Sequence, residues 1–212
     1  GVRLVGSEMC IRDRLGIKLE TNMSPIMKKY CIENIGETRD IEKAKELLAK
    51  AGYSDLTFTV RVPSNYIMHV NTAQVIAEQL KEVGVTMNIE TVEWATWLSD
   101  VYGGRKHEAT IVGLTGKLDP YSILRRYVSD YPKNFYNYSN PEYDKLIAEA
   151  KLSPDENKRI ENYKKAQEIL RENHVAVYIM DPKLITAMDK NIEGFVYYPL
   201  SFINFAKLSI GE

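Results

Sequence analysis

The sequence predicts an α/β fold, a mostly parallel sheet flanked by helices, and three observations carry that prediction. From Val85 to Leu124 the chain reads as strand, helix, strand and polar Gly-containing loop. Thr86 to Val92 and Glu108 to Gly113 are β-branched-rich and too short for typical helices, whereas Trp94, Trp97, Leu98 and Val101 between them recur at helical spacing. Upstream, a further strand and helix precede this unit; downstream, capping signals announce three more helices. Strands joined by helices lie parallel through right-handed crossovers, and ligands on such sheets sit outside the carboxyl ends of the strands.

The elements follow in order. Residues 15–39 form a polar stretch without clear periodicity, in which Ser24-Pro25 favours extended or turning backbone. Asp40 is a good N-cap for a helix with Ala44, Leu47, Leu48 and Ala51 on one face, ended by Gly52. Leu56 to Val62 alternates as a strand and Pro63 stops it; Thr72 to Val83 reads as a helix with Val75, Ile76, Leu80 and Val83 inward. Asp119-Pro120 starts a helix ending near Asp130, Asn140-Pro141 caps another through Ala150, and Ser153-Pro154-Asp155 opens a long one to about Asn173. Val175 to Met180 is β-rich again. The tail from Ile185 mixes strand-like pieces with Gly194 and Pro199.

Composition narrows the function. With 28 basic and 29 acidic residues, the chain has no charge footprint for nucleic acid. No apolar run reaches the roughly 18 residues that span a bilayer, and no signal-peptide core is present. No G-x-S-x-G, H-E-x-x-H or metal-ligand spacing occurs, His69, His107 and His174 are dispersed, and Gly113 to Leu118 lacks the glycine spacing and Ser/Thr of a phosphate loop. No cofactor is expected. Asn137-Tyr138-Ser139 matches a glycosylation sequon, a common chance occurrence.

Three strand ends converge in this scheme: Val62 to Tyr66, Glu93 to Trp97 and Leu114 to Tyr121. They supply Asn65, Tyr66, Trp94, Trp97, Leu114, Thr115, Gly116, Lys117, Asp119 and Tyr121 as ligand-binding candidates. A cleft for a small polar solute needs flat aromatic surface, a few fixed polar groups and open backbone amides, and this set has all three. Each candidate has a plainer role as well. Trp94 and Trp97 at helical spacing suit a core, Asp119 before Pro120 suits an N-cap, Tyr66 and Tyr121 suit a surface, and Lys117 suits a solvated loop.

The Glu93-Trp94 helix start, the Gly113-Leu114-Thr115-Gly116-Lys117-Leu118-Asp119-Pro120 loop, the segment from Asn134 to Asp144 and the helix end from Ala44 to Tyr53 occur in this order. Together they resemble the extracellular solute-binding proteins of family 5, the oligopeptide, dipeptide and nickel receptors of ABC importers, over roughly Asp40 to Phe205. The resemblance implies a periplasmic-binding-protein-like lobe and a non-enzymatic receptor. It implies a peptide or similar small polar solute, captured by two-lobe closure and delivered to ABC permease subunits. It also implies an extracytoplasmic location, in the periplasm or on the outer face of the cell membrane, with membrane association only through the permease or an upstream lipid anchor. On this reading residues 40–190 are the carboxyl-terminal ligand-binding lobe, residues 15–39 connect from a second lobe, and residues 191–212 return toward it, with a last strand near Phe205 to Ile210.

The loop departs from the family pattern at Lys117. Peptide-binding members carry an acidic residue after the T-G or its equivalent, which pairs with the peptide ammonium, and the loop here reaches Asp-Pro after fewer residues. A cation at Lys117 would repel an ammonium and attract a carboxylate or phosphonate, unless Asp119 swings in. Two other readings compete: a receptor-like sensor or peptide chaperone without transport, and a hydrolase or transferase using Asp119 and Lys117 as acid and base.

Leu4 to Arg14 stands apart. It resembles, codon by codon, a translation of a transposase-based sequencing adapter, so residues 1–14 are expected not to be native and the natural protein to continue upstream. With Cys10 discounted, Cys31 is the only cysteine and an internal disulfide is excluded.

Overall fold

A computed structural model describes residues 16–32, 39–183, 185–198 and 202–211. The adapter-like run, residues 33–38 of the connecting stretch and Pro199 lie outside them. The chain divides into two compact units, one running to Pro182 and one from Lys183.

The first unit holds a three-stranded parallel sheet, β2 (Thr57–Pro63), β3 (Thr86–Val92) and β4 (Ala109–Thr110), in the order β3-β2-β4. Thr57 pairs with Thr86 and Pro63 with Val92; on the other edge, Val60 pairs with Ala109 and Arg61 with Thr110. The connection after β3 therefore passes back over β2, and β2 is the central strand. Val60 and Val62 are buried on one face. On the opposite face Arg61 pairs with Glu90 across the strands at 2.9 Å and donates to the Lys106 carbonyl.

Helix α2 (Ile67–Lys81) covers the buried face, and it begins five residues earlier than the expected Thr72. Its deepest contacts come from Ala73 and Ala77, with half-buried Ile76 and Leu80 packed beside them; Val75 and Val83, also half-buried, are not part of this cluster. Small residues one turn apart bring the helix close to the sheet, and the larger ones wedge to either side. Strand β4 is far shorter than Glu108 to Gly113, and residues 111–118 carry no regular structure.

After β3 the chain makes one α-turn, α3 (Trp94–Thr96), and then a π-helix, Trp97–Gly103. Gly104 donates to the Ser99 carbonyl at 2.7 Å. A Cβ on Gly104 would lie 2.9 Å from the carbonyl oxygens of both Ser99 and Asp100, so this exit requires glycine.

The second half packs as α4 (Pro120–Leu124), a 3₁₀ turn (Arg125–Tyr127), α5 (Pro141–Leu152) and α6 (Glu156–Glu172). Caps come from Asp119, Asn140 and Asp155, each accepting backbone N–H bonds one turn ahead. Tyr143 is fully buried between these helices, and its hydroxyl donates to the Leu124 carbonyl at 2.7 Å. Burial pushes its phenol pKa well up.

The segment 16–32 contributes to this helical core. Met23 and Cys31 are buried within it, Thr21 donates to Gln167 Oε1 at 2.9 Å, and Gln167 Nε2 donates to the Tyr30 carbonyl at 2.7 Å. Strand β1 (Gly16–Lys18) pairs antiparallel with β5 (Met180–Pro182), so only the end of the β-rich run from Val175 is strand. Helix α1 (Ile41–Lys50) is capped by Asp40 but contains no buried residue, and Leu47 is exposed.

In the second unit, β6 (Ile192–Glu193) pairs antiparallel with β7 (Ser209–Ile210). Phe205–Lys207 is a 3₁₀ turn, so the expected strand from Phe205 is reduced to two residues.

Candidate functional site

The carboxyl ends of β2 and β3 lie side by side, and Ser64 N–H extends their ladder by donating to the Val92 carbonyl at 2.8 Å. Tyr66, at the start of α2, and Trp94, at the start of α3, project from the two ends. Their rings meet edge to face at 5.4 Å. Trp94 stacks on Trp97, with centroids 5.1 Å apart and planes within 4°. Trp97 is 2 % exposed; it stands behind the wall instead of lining it. Its indole N–H donates to Thr110 Oγ1 at 2.9 Å, and Thr110 Oγ1 donates to the Arg61 carbonyl at 2.6 Å. One side chain thus ties the π-helix to β4 and β2 and fixes the platform beneath Trp94.

Trp94 itself is half-buried, and its indole N–H makes no hydrogen bond to any described residue. Tyr66, which meets its ring, is exposed, as are its chain neighbours Asn65, Ile67 and Met68. This is flat aromatic surface with adjacent apolar and amide groups, backed by a rigid layer, which suits a ligand-facing wall.

The loop 114–119 is exposed throughout, including Leu114, Thr115, Gly116, Lys117 and Leu118. A Cβ at Gly116 would meet nothing within 4 Å, so space stands open beside its backbone. Lys117 forms no ion pair among the described residues. Asp119, by contrast, is committed as the α4 cap: it accepts from Tyr121 N–H at 3.2 Å, Ser122 N–H at 3.0 Å and Ser122 Oγ at 2.8 Å. Lys117 is therefore the uncommitted charge of this loop.

The predicted set splits. Ring contacts join Tyr66, Trp94 and Trp97, whereas Tyr121 lies beside Lys151, whose Nζ is 5.2 Å from the Tyr121 ring centroid. Leu118 to Tyr121 border a cavity of about 420 Å³ that also touches the α5–α6 hairpin and Tyr30.

His69 was not foreseen. Its ring packs 5.0 Å from Tyr66, its Nε2 lies 3.2 Å from where a Gly113 Cβ would stand, and its buried Nδ1 has no hydrogen-bond partner. Burial lowers its pKa. The signal was its i+3 spacing from Tyr66, legible only if α2 begins at Ile67. Among the described residues no His/Cys/Asp/Glu cluster of three is suited to a metal, and no helix is long and apolar enough to cross a membrane.

A parallel sheet with aromatic residues at its strand ends and a capped helical layer beside it is the α/β architecture of periplasmic binding proteins. A structure of DppA from Helicobacter pylori in complex with the peptide STSA superposes with a TM-score of 0.83 at 24% identity, over 100% of this chain and 42% of that one. The profile of bacterial extracellular solute-binding proteins, family 5 (middle portion), matches residues 13–135, and the chain belongs to that family. Di/tripeptide-binding protein 1 of Pseudomonas aeruginosa is 32% identical over 187 residues, which is 82% of this chain and 34% of that protein. The dipeptide-binding protein of Escherichia coli is 28% identical over 205 residues, 92% of this chain and 38% of its own. The chain thus spans about a third of the length of these curated relatives. The family consists of bacterial extracellular solute-binding proteins.

Proposed function

We propose that this chain supplies one wall of the solute cleft of an ABC-importer receptor. In this reading the solute is a peptide or peptide-like compound, a second lobe closes over it, and the closed receptor docks on permease subunits in the membrane. The observation that carries the reading is the Tyr66–Trp94 surface at the carboxyl ends of two parallel strands, held from behind by Trp97 and its hydrogen bonds. The family membership and the names of the relatives support a peptide as the solute class. Closure supplies half of the contacts and most of the desolvation, so one wall alone binds weakly.

The chain contains two tryptophans, Trp94 and Trp97, and their indole N–H resonances separate the surface from its support. Titration with di- to tetrapeptides into the millimolar range is expected to shift the Trp94 indole signal and leave that of Trp97 nearly in place. No shift at Trp94 with any peptide would reject the cleft assignment. Sub-micromolar binding would instead reject the view that a second wall is needed.

A further inference from the structure

A second site lies on the helical side of the 114–119 loop, in the cavity of about 420 Å³ between the start of α4 and the α5–α6 hairpin. Its size falls within the range of small-molecule pockets, roughly 300–1,000 Å³. Its walls are the rings of Tyr30, Tyr121 and Tyr163, and two cations, Lys151 and Arg159, reach it. Among the described residues neither cation forms an ion pair within 4.0 Å; Glu156, which accepts from the Tyr30 hydroxyl and feels the Arg159 charge, is itself paired with Lys29 at 2.6 Å. Lys151 Nζ stands 5.2 Å from the Tyr121 ring centroid, and Arg159 is steadied by hydrogen bonds to the Ser153 and Pro154 carbonyls at 3.0 and 3.2 Å. The one carboxylate on the lining, Asp119, already accepts three hydrogen bonds as the α4 cap, which spreads its charge into the helix start. Burial, and after it the nearby Asp119 charge, push the Tyr163 phenol up to about 12.

We infer that this cavity is a binding site for a small organic carboxylate with a flat apolar body, the carboxylate facing Lys151 and Arg159 and the body lying against the tyrosine rings. Two cations that form no ion pair among the described residues disfavour a cationic occupant and give a neutral one no charge partner, and three rings give a bare inorganic anion little to pack against. The site is separate from the Tyr66–Trp94 surface and holds whether or not that surface is the solute cleft.

The test uses the full chain and three probes: benzoate, which has both charge and body; acetate, which has charge alone; and benzyl alcohol, which has body alone. Benzoate is expected to bind at least about tenfold more tightly than either partial probe, a difference easily resolved in dissociation constants. It should perturb the Tyr121 and Tyr163 amide resonances and leave the Trp94 indole unmoved. Lys151→Gln, on an exposed side chain, is expected to cut benzoate affinity several-fold and leave benzyl alcohol unchanged. Leu118→Glu, which brings an anion to the exposed rim, is expected to do the same. Benzoate binding no tighter than benzyl alcohol, no binding by any of the three, or insensitivity to both substitutions would overturn the assignment.

Discussion

At the scale of single residues, Lys117 decides the charge of the loop. A solvated lysine changes a ligand's affinity by well under about 1 kcal/mol when replaced, the scale of exposed ion pairs. A lysine desolvated against a ligand anion is worth roughly 2–5 kcal/mol when one partner is removed. With Asp119 occupied by three hydrogen bonds, no other carboxylate of the loop is placed to meet an ammonium. In a receptor carrying both lobes, Lys117→Asp is therefore expected to shift preference toward peptides with a free amino terminus. The measurement is the ratio of dissociation constants for one peptide, free and acetylated; an unchanged ratio returns Lys117 to the solvent. Thr110 is the other decisive residue. Thr110→Val keeps the shape but leaves the buried Trp97 indole N–H without its acceptor. Each buried unsatisfied group costs about 1–3 kcal/mol. Urea unfolding should show a lower midpoint with an unchanged slope, and an unchanged midpoint would mean water replaces the hydroxyl.

At the scale of elements, caps separate structural from peripheral helices. Asn140 accepts from the Glu142 and Tyr143 N–H groups at 2.9 and 3.1 Å, and it starts the helix that buries Tyr143 and Ile147. Asp40 caps α1 just as well, at 2.8 Å, but α1 buries nothing among the described residues. Asn140→Ala is expected to lower global stability by about 1 kcal/mol, whereas Asp40→Ala should raise hydrogen exchange in α1 and leave the global midpoint nearly fixed. Equal global losses would show that α1 belongs to the cooperative core. These caps were legible in the sequence because Asp-Pro, Asn-Pro and Pro-Asp act within one turn of chain. The parallel direction of β2, β3 and β4 was legible too, since helices joining short strands allow little else, whereas their order was not. The rest depended on distant partners. Glu108 to Gly113 has strand-forming residues, yet only Ala109 and Thr110 find β2 beside them. The polar look of residues 16–32 hid Met23, which is buried in a core built mainly by residues far along the chain. The π-helix has no local signal beyond Gly104.

At the scale of the molecule, two properties of the whole chain can be measured directly. Burial lowers the pKa of His69, and burial with the nearby Arg61 charge lowers that of His107. The unfolded chain thus binds protons that the folded chain resists, so stability is full above the unfolded value of 6.5 and declines as pH falls through it. The exposed carboxylates Glu46, Glu156 and Glu161, held low chiefly by lysine hydrogen bonds, act only lower, as pH falls through 4.5. Urea midpoints are expected to drop between pH 7.5 and pH 5.5, and less so in a His69→Gln, His107→Gln variant; a flat profile would place both rings in contact with water. The second property is association. In the unit from Lys183 onward, β6 and β7 form a ladder of two residues each, too short to bury an edge, and isolated two-stranded ribbons are marginal in water. Val196, Tyr197, Phe202, Phe205 and Ile210 are all more than half exposed, at 51 to 83 %. Apolar side chains of this size beside unpaired strand edges favour pairing with another copy. Sedimentation velocity should therefore show a sedimentation coefficient that rises with protein concentration, and a Phe205→Lys, Ile210→Lys variant should move that rise to higher concentration by placing charges on the exposed apolar surface. A wild-type coefficient independent of concentration would mean that this surface is stable in water on its own.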